Sequence, residues 1–410
     1  MSSHAPTRGP VHDVLIVGGG LVGASLAIAL DAQGLEVGLV EAAPADALPP
    51  VFDQRNLSLA EASLNALVAL GVLPLLRAPT GPIQRIHISR SGDFGRVLLD
   101  AREHGREVFG RVVVARDFGA ALEARLQQLR HLVRYRPARF IGLEAGDPGL
   151  RWIRVEEPGG ERVLGARLLV AADGAHSTVR EALGIGAQQH DYGQTLFIAR
   201  LRAQRAPDGT AYERLTDAGP TALLPRGDGH YGLVHGVARA QAEAVAELND
   251  AAFLARVQDV FGWRAGRFLA VGPRSAYPIQ RCVADALTAP RAVLVGNAAQ
   301  AIHPIGAQGF NLGLRDALTL AECIAAGGGD PGADAVLQRH ADRRAEDRAR
   351  TLAFSGGLAR LTASDTPLLR PLRSAGLLAS GLSGGLQAWL VGGAMGYRGD
   401  VPALCRGRAA

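Results

Sequence analysis

The chain is 410 residues long, 48% hydrophobic and carries a net charge of +5, enough material for a large core shared by two closely joined domains. All 44 basic residues are arginine, scattered among 39 acids with no basic, aromatic-interleaved patch, which argues against a nucleic-acid partner. Cys282, Cys323 and Cys405 are too few and too far apart for a disulfide framework, a zinc site or a redox pair, and the first ten residues lack an apolar signal core; the expected compartment is a reducing cytoplasm.

The first informative stretch is residues 12–41. Val14 to Val17 suits a strand buried on both faces, and it stops at Gly18, Gly19 and Gly20. In Gly18-x-Gly20-x-x-Gly23 the first glycine allows the tight turn, the second lets backbone approach a pyrophosphate, and the third lets the next helix pack close to the sheet. That helix is expected over Leu21 to Gln33, ending at Gly34, with its unpaired N–H groups and dipole favouring an anion. Leu35 to Val40 makes the second strand and Glu41 closes it, placed to accept both ribose hydroxyls of an adenosine. The unit predicts a bound dinucleotide and leaves FAD or NAD open.

After a Pro- and Ala-rich loop comes Arg55. The Ser58-x-x-Glu61 spacing of a capping box then predicts a helix beginning near Ser58 and running to Leu70. Residues 83 to 115 alternate short β-prone runs with turns, suggesting antiparallel strands of a second region. Asp117 to Arg130 has helical spacing, and strands are expected near 133–135, 140–144, 152–156 and 162–170. The last ends in Asp173-Gly174, an acid at a strand's carboxyl end where open α/β sheets bind ligands. A helix should follow near His176, with Ser177 and Arg180 in its first turns; an ordinary helix-capping role for Asp173 is the competing reading. Residues 190 to 282 look β-rich again, with strands near 195–202, 221–224 and 231–237 and a helix over Asp250 to Phe261. A second sheet over the cofactor is the natural place for a substrate pocket.

The third site runs from Val293 to Asp316: a strand, a loop with Gly296, Asn297, Pro304, Gly306 and Gly309, then a long helix to Ala326. Gly306 and Gly309 would free N–H groups beside a helix N-terminus, where negative charge could be stabilised. His303 reads as a packed or backbone-bonded histidine. No metal is expected, since no acid or second histidine stands at ligand spacing.

These three sites, in this order and over nearly the whole chain, resemble the group A flavoprotein aromatic hydroxylases of the para-hydroxybenzoate hydroxylase fold. Within them Phe261-Gly262-Trp263-Arg264, Ser275-Ala276-Tyr277-Pro278 and Gly296-Asn297-Ala298-Ala299-Gln300 most resemble the ubiquinone-biosynthesis branch and its 2-polyprenyl-6-methoxyphenol hydroxylases. The resemblance implies an α/β fold: a Rossmann-like FAD-binding domain (11–82, 101–185 and 285–330) interwoven with a β-sheet substrate domain (83–100 and 186–284), and a helical C-terminal region (331–410). It implies that Gly18, Gly20, Gly23 and Glu41 hold the ADP half of FAD and that Arg55 lies near the ribityl chain and ring. Asp173 and Gly174 fall in a motif contacting FAD and NAD(P)H, Gly296 and Asn297 in a diphosphate motif, and Pro304 to Asn311, with Gly306 and Gly309, would line the isoalloxazine. Three departures stand out: Asn297 replaces the usual Asp, Gln300 a common His, and Gly306-Ala307 reverses the frequent Ala-Gly order. These should tune flavin binding, since Asn still hydrogen-bonds.

The implied chemistry is reduction of FAD by NAD(P)H, formation of a C4a-hydroperoxide with O2, and electrophilic oxygen transfer to a polyprenyl phenol, the protein supplying placement and exclusion of water. Arg55, Pro304 and Tyr277 are the expected residues at the reacting centre, and Tyr212, Leu224 and Pro225 further candidates for the pocket wall. Two alternatives stay open: another oxidoreductase of this fold with a different substrate, or a flavin-binding scaffold among other ubiquinone-biosynthesis enzymes.

The last part of the chain bears on the substrate. Ala335 to Leu361 reads as a charged, largely solvated helix, and Ser374 to Tyr397 runs 24 residues without a charge. Seven glycines and three serines in that run argue against a transmembrane span. An amphipathic or packed helical tail is the expectation, in a cytoplasmic protein, with two readings open: contact with the inner-membrane surface or packing on its own domain.

Overall fold

The computed structural model describes residues 8–363, 374–376, 379 and 383–407. The apolar run at Val14–Val17 is the end of a longer strand, Arg8–Val17, whose Val14, Leu15 and Ile16 are fully buried. Val37–Val40 lies parallel on one side and Gly160–Ala171 on the other, with Ala292–Leu294 parallel beyond that and Leu132–Tyr135 beyond Val37–Val40. Strands covered on both faces cannot alternate polar and apolar residues, so they read as continuous aliphatic runs. Helices Leu21–Asp31, Ala115–Leu126 and Gly309–Ala325 cover one face through Leu26, Phe118 and Leu318. Phe140, Ile153 and Val155, from an antiparallel pair that extends the sheet, cover the other.

The second sheet is mainly antiparallel, ordered Gln300–Ala301, Ser275–Ala284, Ala187–Ala203, Tyr231–Ala238, Thr221–Pro225, Thr210–Leu215, Arg85–Arg90 and Arg96–Asp100. Its outer face packs Phe197, Leu223 and Tyr231 on Phe253 and Phe261 of the helix Asp250–Phe261. Its inner face carries Ile86, Ile88, Ala211 and Leu224, which meet Val391 and Met395 at the end of the helix Gly384–Ala394. The fold is thus the expected α/β class, a Rossmann-like sheet interwoven with a substrate-side sheet, followed by helices. Part of the uncharged run 374–397 lies outside the described residues.

Three expectations need correction. Ser58 caps nothing: Asn56–Ala60 is a strand antiparallel to Gly110–Val114, and the helix begins at Glu61 after the capless Ala60. Leu57 and Leu59 alternate with polar Asn56 and Ser58, and a distant partner strand overrode the local capping signal. Residues 83–115 do not all join one sheet, because Gly110–Val114 pairs with Gly81–Ile83 on one side and Asn56–Ala60 on the other, in a separate small sheet. The helix Asp334–Ala363 forms over nearly its predicted span, but only part of it is solvated. His340, Arg344, Asp347, Thr351 and Ser355 recur at three- and four-residue spacing and are buried as one stripe. Asp347 accepts from Arg315 at 2.6 and 3.2 Å and from Arg344 at 2.5 Å, while Arg344 also donates to Asp316 at 2.7 Å. Paired charges can be buried, and in one dimension they look like a wet face.

Candidate active site

The three motifs meet because their strands are neighbours. Val17 pairs with Ala171, and Ala171 with Leu294, so the three chain reversals leave the same end of the sheet. There the glycines divide into two kinds. At Gly18, held at φ 108°, a Cβ would lie 2.4 Å from the Ala172 carbonyl oxygen, and at Gly23 it would lie 2.0 Å from that of Gly18. A Cβ on Gly296 would strike Val22 at 2.9 Å, which draws the third motif onto the first helix. These are packing glycines. Gly20 instead faces space, with only Val51 at 3.5 Å, and Gly174 and Gly309 have nothing within 4 Å. Helix Leu21–Asp31 has no side-chain cap, so its first amides face that space unpaired.

Glu41 stands at the adjoining strand end. Its two carboxylate oxygens accept from the amides of Gly19 at 2.8 Å and Ala43 at 2.7 Å, each retaining a lone pair for a ligand hydroxyl. Ser177 caps the short helix Thr178–Ala182, accepting from the Arg180 amide at 3.0 Å, and Asp173 braces that turn by accepting from Ser177 Oγ at 2.5 Å and the Val179 amide at 3.2 Å. Buried Arg180 ties the second motif to the third by donating to the carbonyls of Ala175 at 3.2 Å and Ala298 at 3.0 Å. Asn297 is exposed beside them.

The loop before helix Gly309–Ala325 is held from several directions. Gly306 and Ala307 both have positive φ, 73° and 51°, a conformation costly for alanine. Asn311 offsets that strain. It accepts from the Ala60 amide at 2.9 Å and Ser63 Oγ at 2.7 Å, and donates to the carbonyls of Ser58 at 2.9 Å and Ala307 at 2.8 Å. With its amide so used, Asn311 offers a ligand the position of the loop rather than a hydrogen bond. His303 accepts from the Ile305 amide through Nδ1 at 3.2 Å, leaving Nε2 to donate to Gln194 at 3.1 Å. Burial pushes its pKa down to about 4, so it is a neutral anchor, as its isolation in the sequence suggested. Pro304 starts the turn, its carbonyl accepting from Ala307 at 2.8 Å.

On the sheet side, Tyr277 donates to Asp53 Oδ2 at 2.6 Å, Arg55 Nε donates to Asp53 Oδ1 at 2.9 Å, and the Arg55 guanidinium lies 4.9 Å above the Tyr277 ring. Burial, then the Asp53 carboxylate, raises the Tyr277 pKa. Arg55 and Tyr277 are thus brought together by Asp53, which the sequence did not single out. Leu224 belongs to the inner apolar face. Tyr212 does not: it packs against His87 and Phe261 on the outer face, because side chains alternate along Thr210–Leu215. The neighbour that does point inward is Glu213. Its strand was not among those expected, and an acid between a tyrosine and an arginine carried no signal by itself.

Packed glycines beneath open ones, capless helix starts and an acid at the second strand's end define a dinucleotide-binding protein with a second sheet beside that site. A family model described as FAD binding domain matches residues 11–355, and the chain belongs to that family; its cofactor is FAD. It is 34% identical over 404 residues to ubiquinone hydroxylase UbiL of Rhodospirillum rubrum, covering 97% of this chain and 93% of the relative. It is 31% identical over 389 residues to the 3-demethoxyubiquinol 3-hydroxylase of Escherichia coli K12, covering 92% and 96%. Among solved structures, the p-nitrophenol 4-monooxygenase PnpA of Pseudomonas putida DLL-E4 superposes with a TM-score of 0.76 over 95% of this chain and 98% of its own, at 18% identity. That likeness is one of fold.

Proposed function

We propose that this protein is an FAD-dependent aromatic hydroxylase that oxidises the ring of a polyprenylated phenol in ubiquinone biosynthesis, using NAD(P)H and O2. The observation that carries the reading is the meeting of an FAD site with an apolar sheet face roofed by the end of the chain, in a protein collinear with two ubiquinone-pathway hydroxylases. In this reading Gly18, Gly20, Gly23 and Glu41 hold the adenosine diphosphate, and Asp173, Gly174, Gly296 and Asn297 flank the diphosphate and ribityl chain. Pro304, Gly306 and Gly309 border the ring, and residues 11–82, 101–185 and 285–330 form the cofactor domain. Bound FAD, reduced by NAD(P)H, supplies activated oxygen. The chain's own part is placement: Asn311 and His303 hold the loop, Asp53 clamps Arg55 and Tyr277 across to the second sheet, and the aliphatic inner face keeps water away.

The lipid tail of such a substrate bears on location. No helix among the described residues is long and apolar enough to cross a membrane. Helix Gly384–Ala394 carries no charge, exposes Leu386 and Trp389, and reaches the apolar inner face through Val391. In our reading this helix rests at the membrane surface and passes the prenyl chain inward, where other enzymes of the pathway would meet it.

The test is mass spectrometry of lipid quinones in a strain lacking the gene. Accumulation of a polyprenyl phenol short of one ring oxygen, with ubiquinone lost and both restored by the gene, is the expected result and identifies the carbon oxidised. Unchanged ubiquinone with no such intermediate would refute the pathway assignment.

A further inference from the structure

The inner face of the second sheet is largely aliphatic around one acid. Register places Val97, Ile88, Glu213, Ala222, Val234, Ile198 and Ser275 side by side across it, in the row next to the one that holds Leu196 and Tyr277. Glu213 therefore faces the same side of the sheet as Tyr277, and the backbone amide of Gly306, in the loop before Gly309, is near enough to favour its ionised form. No ion pair to Glu213 forms among the described residues. On the adjoining strands His87 and Arg214 turn to the outer face, where Arg264 lies near both, and Arg90 is engaged by Asp93 and Asp217. In the same loop as Gly306, His303 is neutral, and helix Gly384–Ala394, which covers part of the inner face, has no ionisable side chain. Apart from that amide, none of these groups offsets the charge of this desolvated carboxyl, and acids so placed concentrate where proton transfer is needed.

We propose that Glu213 is the base that takes the phenol proton of the substrate during hydroxylation, a role that rests on the phenol-hydroxylase reading above. The phenol O–H bond breaks, its proton moves to a Glu213 carboxylate oxygen, and the electron pair left on oxygen is shared into the ring. A ring carbon uses that pair to form the new C–O bond with one atom of O2. The other atom leaves as water with the two electrons of NAD(P)H. The ring C–H proton then goes to solvent, and the proton on Glu213 returns to the original oxygen as aromaticity is restored. Burial raises the Glu213 pKa to about 7, partly opposed by the Gly306 amide, which brings it towards the phenol it serves and leaves much of it ionised at neutral pH. Tyr277 and Arg55, held by Asp53, position the ring.

The test uses FAD-loaded enzyme and two short-chain prenylated phenols, one plain and one ring-fluorinated and therefore more acidic, with oxygenated product counted per NAD(P)H consumed. For Glu213→Gln we expect flavin content to be retained, hydroxylation of the plain phenol to fall about 10²-fold or more, and the limb that rises through pH 7 to vanish. The fluorinated phenol should recover much of the rate and Glu213→Asp part of it. Equal deficits on both phenols, or an unaltered pH limb, would overturn the assignment. Should Glu213→Gln not fold, the native enzyme still decides: the limb near pH 7 must weaken with the acidic phenol, and its persistence overturns the proposal. Failure of the native enzyme to hydroxylate any prenylated phenol would instead sink the reading on which this one rests.

Discussion

Replacing Asp347 by asparagine should be among the most damaging isosteric changes in the chain. Asp347 is fully buried and lies between two equally buried arginines, Arg315 and Arg344, with Thr351 Oγ1 at 3.2 Å on a third side. Burial alone would resist its ionisation, but the Arg315 charge and hydrogen bonds, with Arg344 behind them, outweigh it and hold its carboxyl below the ordinary range. Removing one member of a buried ion group strands the others without water, a loss of about 3–5 kcal/mol. Unfolding entropy near 2.1 cal/mol/K per residue over 410 residues turns that into a fall of roughly 4–6 °C in melting temperature. Glu346→Gln is the internal control. It removes a charge one residue away whose partner, Arg350, shares more than half exposure with it, and such pairs contribute about 0.3–0.5 kcal/mol. Calorimetry of both variants at pH 7 checks the difference. Because the folded pKa of Asp347 is depressed, its stabilisation is present above the unfolded value of about 3.9 and disappears as pH falls through the folded one. The gap to the native protein should therefore narrow only below about pH 4. A melting temperature for Asp347→Asn within a degree of Glu346→Gln would refute the idea that the network bears on stability.

Gly23→Ala should yield protein without bound flavin, because its Cβ would lie 2.0 Å from the Gly18 carbonyl oxygen; absorbance of the purified protein measures it. Asn311→Ala strips four hydrogen bonds and leaves the Ala60 amide buried without its acceptor, a loss of about 2–4 kcal/mol, with weaker FAD retention read by dialysis. Tyr277→Phe removes the hydroxyl donated to Asp53 while keeping the ring beneath Arg55 and should raise the fraction of NAD(P)H consumed without oxygenated product, the total stability changing by about 1 kcal/mol. Glu213→Gln has a stability signature of its own. The folded pKa lies above the ordinary 4.5 at about 7, so the stability Glu213 contributes below 4.5 is lost as pH rises through 7. The variant should match the native protein near pH 5 and exceed it by roughly 1–3 kcal/mol at pH 8, as followed by thermal melts; no change with pH would contradict the buried placement.

What the sequence determined by itself was everything carried by short-range chemistry. The glycine turn after Val17, the acid at Glu41, the Asp173-Gly174 turn and the Gly296 to Gly309 loop each need particular residues at particular spacings, since backbone must pass close to backbone or to a phosphate. Such constraints survive reading in one dimension. The aliphatic runs of the parallel sheet and the Asp250–Phe261 helix were legible for a similar reason, their periodicity being local. Tertiary structure alone decided which of two local preferences won and which charges were wet. Ser58 went to a strand because Val112, distant in sequence, offered it a partner. Arg344 and Asp347 of the helix Asp334–Ala363 went inside because Asp316 and Arg315, on another helix, neutralise them. Asp53 and Glu213 gained their places from partners on other elements, Tyr277 and Gly306. Pairing across the fold sets the free energy of a buried charge, and a linear pattern holds no record of who the partner will be.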